Sequence, residues 1–214
     1  LNLSAPGDVL AVHESYIKAG ANVITTNTFS ISRPQLKKFD IEDKQGELIK
    51  AAFEIANKAR KGTDVKIGFS IGPTGLLIEP LGPTSRKEAR EFFAEIARNA
   101  SKQAGFDLYI LETFTNISEL EDAIAGIRSV DLNTPILASF APISHQDNLI
   151  QNFIDRISHR GDVQALGINC GQGPSDILRI LKKINPLVDK PIVVQPNAGI
   201  PNQLNGRYFY MTSP

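Results

Sequence analysis

Six short β-rich runs recur along this chain, most of them almost continuously apolar, with stretches of helical periodicity between them. The runs are Asn22-Val-Ile-Thr-Thr-Asn27, Val65-Lys-Ile-Gly-Phe-Ser70, Asp107-Leu-Tyr-Ile-Leu-Glu112, Pro135-Ile-Leu-Ala-Ser-Phe140, Ala165-Leu-Gly-Ile-Asn-Cys170 and Pro191-Ile-Val-Val-Gln195. Runs of this length that barely alternate with polar residues suit parallel strands covered on both faces. Between them, Glu47 to Arg60 places Leu48, Ala51, Ala52, Ile55 and Ala59 on one helical face. Ser85 precedes Glu88 by three residues, the pattern of a capping box. Ser118 and Glu121 repeat that spacing ahead of Ile124 and Ile127, and further helices are expected over 148–158 and 175–184. Alternation of this kind specifies right-handed βαβ units and a parallel sheet.

The first expected helix, Asp8 to Ala19, has Val9, Val12, Tyr16 and Ile17 as its expected inner face and precedes any strand. The segment after Gln195, with Pro196, Pro201 and Pro214, reads as loop without a final helix. Six strands with one expected before and one after make eight. The chain therefore reads as an α/β protein, a single (β/α)8 TIM-type barrel domain over 1–214 that lacks its first and last strands. A doubly wound sheet is the alternative, because periodicity does not separate the two. Gly72-Pro-Thr-Gly75 follows a strand but has neither the Lys-Ser/Thr of a phosphate loop nor a helix opening at its second glycine, so a tight turn or close backbone approach to a substrate is expected there.

Composition narrows the function. Lys+Arg 23 balance Asp+Glu 23, which leaves no electrostatic footprint for nucleic acid or an anionic membrane. No apolar run approaches the ~20 residues of a membrane helix. One cysteine permits no internal disulfide, and a reducing, cytoplasmic compartment is expected. The three histidines are scattered, with His13 on the first helix, His145 in a loop and His159 near a helix end, so no Ser-His-Asp arrangement emerges.

In a barrel the chemistry lies at the carboxyl ends of the strands. Here those ends carry Thr26, Asn27 and Thr28, then Ser70 to Pro73, Glu112-Thr-Phe114, Asn169-Cys-Gly171 and Gln195 to Gly199. Glu112 at a barrel mouth can pair with the ammonium of an amino-acid substrate, or else serve a cap or an internal salt bridge. Cys170 is the only thiolate the chain can offer; a lone cysteine at a strand end is also a common small core residue. Asn197 can orient a bound group or close an Asx turn. Thr26, Asn27 and Thr28 can contact substrate or bond to loop backbone.

Ala19-Gly-Ala-Asn-Val-Ile-Thr-Thr-Asn-Thr-Phe29, Gly72-Pro-Thr-Gly75, Glu79-Pro-Leu-Gly82, Glu112-Thr-Phe114, Gly167-Ile-Asn-Cys170 and Pro196-Asn-Ala-Gly199 together resemble the homocysteine S-methyltransferase family. The Glu79-Pro-Leu-Gly82 stretch is most similar to the homocysteine domain of cobalamin-dependent methionine synthases. The resemblance follows the family's order along nearly the whole chain. It implies a zinc-dependent barrel that methylates the sulfur of homocysteine to methionine, with methylcobalamin or methyl-folate as the favoured donor. It implies that Cys170 is the first of three zinc cysteines, that Glu112 contacts the amino group, and that Thr26, Asn27, Thr28 and Asn197 line the substrate site. The family's adjacent cysteine pair and opening Asp-Gly turn are not in this sequence. One thiolate is too few for zinc, so this segment alone is expected neither to hold the metal tightly nor to catalyse. An inactive barrel module that serves binding or interaction is the competing expectation.

Overall fold

The computed structural model describes residues 1–103, 105–142, 147–199, 201–204 and 206–210. Among them, β1 (Val23–Thr25), β2 (Lys66–Ile71), β3 (Leu108–Phe114), β4 (Ile136–Phe140), β5 (Ala165–Asn169) and β6 (Ile192–Gln195) form one sheet in chain order. Every neighbouring pair is parallel. A doubly wound sheet reverses its strand order at a switch point; this one never reverses. The fold is a partial α/β barrel, six parallel strands of the TIM type with helices between them.

The helices are α1 (Pro6–Lys18), α2 (Arg33–Lys37), α3 (Gln45–Ala59), α4 (Arg86–Ser101), α5 (Ile117–Arg128), α6 (Asp147–Phe153), which continues as a wider turn to Ser158, and α7 (Pro174–Ile184). Ser85 caps α4 as its spacing predicts, its side chain accepting from the Glu88 N–H at 3.1 Å. At α5 the cap is Asn116, which accepts from the Ser118 N–H at 2.9 Å, so Ser118 lies inside the helix rather than before it.

The core lies between the sheet and the helices. Phe69, Tyr109, Leu111, Phe114 and Phe140 meet Phe53, Phe93, Leu120, Ile124 and Phe153 there. Burial of large side chains at about 25 cal/mol per Å2 is the main force holding this layer together. Laterally, the carboxylate of Asp122, with no exposed surface, accepts from Arg86 at 2.8 and 3.0 Å and from Arg90 at 2.7 Å, fastening α4 to α5. Glu121 extends this to Arg156 at the end of α6. No helix among the described residues is long and apolar enough to cross a membrane.

Two expectations change. In α1, Val9 and His13 face inward, whereas Val12 and Tyr16 are exposed. Neighbours four apart, 9 and 13, set the buried stripe, because α1 packs on α3 and β1 from one side only. The segment after Gln195 is not all loop: β7 (Pro201–Leu204) and β8 (Arg207–Tyr210) pair as an antiparallel hairpin, turned at Gly206 with φ +77°. His145 lies outside the described residues.

Candidate active site

The strand ends at the carboxyl side of the sheet are linked to one another by side chains. Just beyond β1, Thr26 and Thr28 are buried and their hydroxyls lie 2.6 Å apart. The Thr26 hydroxyl accepts from the Ser70 N–H at 3.1 Å and the Thr28 hydroxyl donates to the Ser70 carbonyl at 2.7 Å. Both threonines thus bind the end of β1 to the end of β2 and fix Ser70. Asn27 is exposed and donates to Asn2 at 3.1 Å. Thr26 and Asn27 also line a cleft of about 550 Å3 together with His13, Thr25 and Gln195. Glu112, Cys170 and Asn197 are not among its walls.

Ser70 donates its hydroxyl to the Glu112 carboxylate in a short hydrogen bond. Burial raises the pKa of Glu112 above the ordinary carboxylate value, and the Ser70 bond opposes that rise. A carboxylate held away from water with one hydroxyl donor has capacity for a further cation or donor.

Glu112 stands where β3 departs from regular pairing. Leu111 pairs with Ala138 but Phe114 pairs with Phe140, so β3 uses three residues where β4 uses two. Leu111 and Phe114 both enter the helix-side core, and Phe114 packs against Phe93. Strict alternation would have turned Phe114 to the other face. The extra residue is Thr113, whose φ of +65° is left-handed. A β-branched residue there is strained by roughly 1–3 kcal/mol and needs its surroundings to hold it.

Asn169 supplies that hold. Its Oδ1 accepts from the Thr113 N–H at 2.9 Å and from the Ser139 hydroxyl at 2.7 Å, while its Nδ2 donates to the Thr113 hydroxyl at 2.8 Å. Cys170 follows directly, partly buried, with φ +58°. Its N–H donates to the Gln195 carbonyl at 3.0 Å. Gly171, at φ +69°, lies so close to the Pro142 carbonyl that a Cβ would come within 2.2 Å of its oxygen, so only glycine fits. Asn197 is exposed, and its N–H donates to the Gln172 carbonyl at 3.2 Å, which keeps it beside the Cys170 turn.

The loop of Gly72 to Gly75 is fixed from α5. Buried Glu119 accepts from both the N–H and the hydroxyl of Thr74, each at 2.7 Å. Ser70, Thr113, Glu119, Ser139 and Asn169 are the polar residues of this region that sequence reasoning assigned no role. Asn169 stood within the Gly-Ile-Asn-Cys run, but the long-range partners that give it a task are not written in that run.

Among the described residues no group of three or more His, Cys, Asp or Glu side chains is placed to hold a metal ion. A zinc site takes three or four such donors. Cys170 suits zinc as a soft ligand, but the described residues do not complete a site around it.

A methionine synthase of Mycobacterium leprae is 26% identical over 213 residues, which cover 94% of this chain and 18% of that protein. Homocysteine S-methyltransferase 2 of Zea mays is 30% identical over 226 residues, covering 92% of this chain and 65% of that protein. This chain thus spans less than a fifth of the mycobacterial relative and about two thirds of the maize one. The metallated form of the homocysteine methyltransferase MmuM from Escherichia coli superposes with a TM-score of 0.74 at 23% identity, covering 92% of this chain and 74% of that one. At that identity the likeness is one of fold. The profile of the homocysteine S-methyltransferase family matches residues 1–214, and the chain belongs to that family.

Proposed function

We propose that this chain binds homocysteine at the carboxyl ends of its strands and presents the sulfur for methylation to methionine. The observation that carries this reading is the linkage of a partly desolvated carboxylate on β3 to the thiol-bearing end of β5 through one buried amide, Asn169. Glu112 would hold the substrate ammonium, with Ser70 orienting the carboxylate and Thr26 and Thr28 fixing Ser70. Asn197 and Asn27 would border the site. In the reaction the homocysteine thiol loses its proton, a sulfur lone pair forms the new bond to the methyl carbon, and the donor leaves with the electrons of its former bond to that carbon. Methylcobalamin or methyl-folate is the donor we favour, in a cytoplasmic setting.

A free thiol titrates near 8.5, so most homocysteine is protonated at neutral pH. Zinc, when bound, would supply the thiolate. Cys170 would be one of its ligands, with the others coming from outside the described residues. The competing reading, a barrel that binds without catalysing, draws on the shortfall of metal ligands among the described residues. Zinc analysis, homocysteine titration and methyl-transfer assays on this segment and on the full gene product separate them. Stoichiometric zinc and methyl transfer in the full product support the enzyme. Homocysteine binding without either supports the binding module, and no homocysteine binding in either protein refutes both.

A further inference from the structure

Asn169 is buried and uses three hydrogen bonds, two of them to Thr113, a residue 56 positions earlier in the chain. Its terminal amide is the one short side-chain group that can accept from the Thr113 N–H and donate to the Thr113 hydroxyl at the same time. A carboxylate would accept but not donate, and a serine would not span the gap. The residue so held is the left-handed threonine that follows Glu112, in the bulge that decides which way residues 112 to 114 face. Bulges beside functional sites re-aim side chains. Ser139, on the strand between β3 and β5, donates to the same Oδ1 and orients the amide.

We propose that Asn169 is a positioning residue: by clamping Thr113 in its left-handed conformation it aims the Glu112 carboxylate at the substrate ammonium and fixes that carboxylate relative to the Cys170 thiol. The inference rests on the reading of Glu112 as the ammonium-binding group. Without the clamp, Leu111 and Phe114 stay anchored in the core, but the Thr113 backbone between them is no longer pinned and Glu112 loses its direction. Supporting groups of this kind set the precision of a binding constellation without touching the ligand.

The test uses two ligands on the full gene product carrying this chain: L-homocysteine, and 4-mercaptobutanoate, which keeps the thiol and carboxylate but lacks the amino group. The ratio of their affinities, measured by calorimetry, reports the ammonium contact alone. The wild-type protein favours homocysteine, and Glu112→Gln brings the ratio near one. Asn169→Ala lowers the ratio about tenfold with little change for 4-mercaptobutanoate. Adding Thr113→Gly to Asn169→Ala restores most of the ratio, because glycine adopts left-handed backbone unaided. If Asn169→Ala does not fold, Asn169→Ser, whose hydroxyl is too short to reach both the N–H and the hydroxyl of Thr113, carries the test with a drop of about threefold. Equal weakening of both ligands by the Asn169 variants refutes the positioning role, and a loss that Thr113→Gly leaves unrepaired refutes the route through Thr113. A Glu112→Gln protein that keeps its discrimination, or a wild-type protein that binds no homocysteine, sinks the underlying reading instead.

Discussion

Replacing Glu112 with glutamine should weaken homocysteine binding while leaving the fold as stable as before, or more so. In the ligand-free protein the carboxylate is partly desolvated, and burial lifts its pKa above 4.5 against the pull of the Ser70 hydroxyl. Between the ordinary and the raised value the folded state binds more protons than the unfolded one, so stability falls as pH rises through that window. At neutral pH the fold carries an ionised carboxylate that its surroundings disfavour. Glutamine keeps the shape and an acceptor for Ser70 without the charge, so a gain of up to about 1 kcal/mol is expected. For a domain of this size that is about 2–4 °C in Tm. Binding moves the other way. Removing one partner of a desolvated charge pair costs about 2–5 kcal/mol. Glu112 is only partly buried, which favours the lower end, about 2–3 kcal/mol or ~30–150-fold in Kd. Scanning calorimetry and titration calorimetry across a pH series read both effects. In the wild type, the preference for homocysteine over its deaminated analogue should fade as pH is lowered through the raised Glu112 value; in the variant it should be flat. A variant that binds normally but melts several degrees earlier would show that Glu112 serves the fold and refute the reasoning.

Other positions yield further expectations. Asp122→Ala removes the buried carboxylate that joins Arg86 and Arg90, while both guanidiniums keep access to water and Arg86 keeps Glu121, and should destabilise by about 1–3 kcal/mol, lowering Tm by about 2–12 °C; a loss under about 0.5 kcal/mol in chemical denaturation would contradict it. His13 is buried with no hydrogen-bond partner at Nε2 among the described residues, and burial lowers its pKa below 6.5. The unfolded chain then takes up the proton first, so stability declines as pH falls below 6.5 toward the lowered folded value. His13→Leu should flatten that part of the Tm–pH curve, and an unchanged slope would point to another group. Gly126→Ala would set a Cβ 2.4 Å from the Arg90 carbonyl oxygen, which has no rotamer to escape through. A loss of about 1–3 kcal/mol is expected from overpacking α4 on α5, read as a lower denaturation midpoint, and a neutral result would mean that the two helices separate easily.

The strands were legible because a parallel strand covered on both faces must be apolar along its whole length, and most of the six runs carry that signature, the inner ones above all. Helix positions followed from period and caps, yet phase did not always follow. His13 rather than Val12 faces inward in α1 because a helix touched on one side can bury a stripe that its apolar residues only partly define. Asn116 and Ser118 are both good caps, and only the path of the chain out of β3 selects the first. The β7–β8 hairpin hid behind Pro196, Pro201 and Pro214, which read as loop punctuation. At the candidate site, Glu112 and Cys170 stood out as reactive types ending apolar runs. The bulge did not: neither glycine nor asparagine marks position 113, and the partners that the left-handed threonine finds in Asn169 lie far along the chain.

The strictly sequential strand order also bears on how the mouth is built during synthesis. Each strand pairs with the one made just before it, so a chain leaving the ribosome finds its template already assembled, and the growing edge is always the newest strand. Domains that can fold vectorially expose few unpaired segments at once. The mouth, however, is completed out of step with the sheet. Thr113 emerges 56 residues before the Asn169 amide that clamps it, and Ser139 waits 30 residues for the same partner. Until β5 docks, Phe114 can already sit in the core against β4 and α4, but the N–H and hydroxyl of Thr113 lack the amide that pins them. Docking of that fifth strand is therefore the moment at which a stack of interchangeable hydrophobic layers acquires a directed carboxylate, and a translational pause before residue 169 would hold the chain as scaffold without a site.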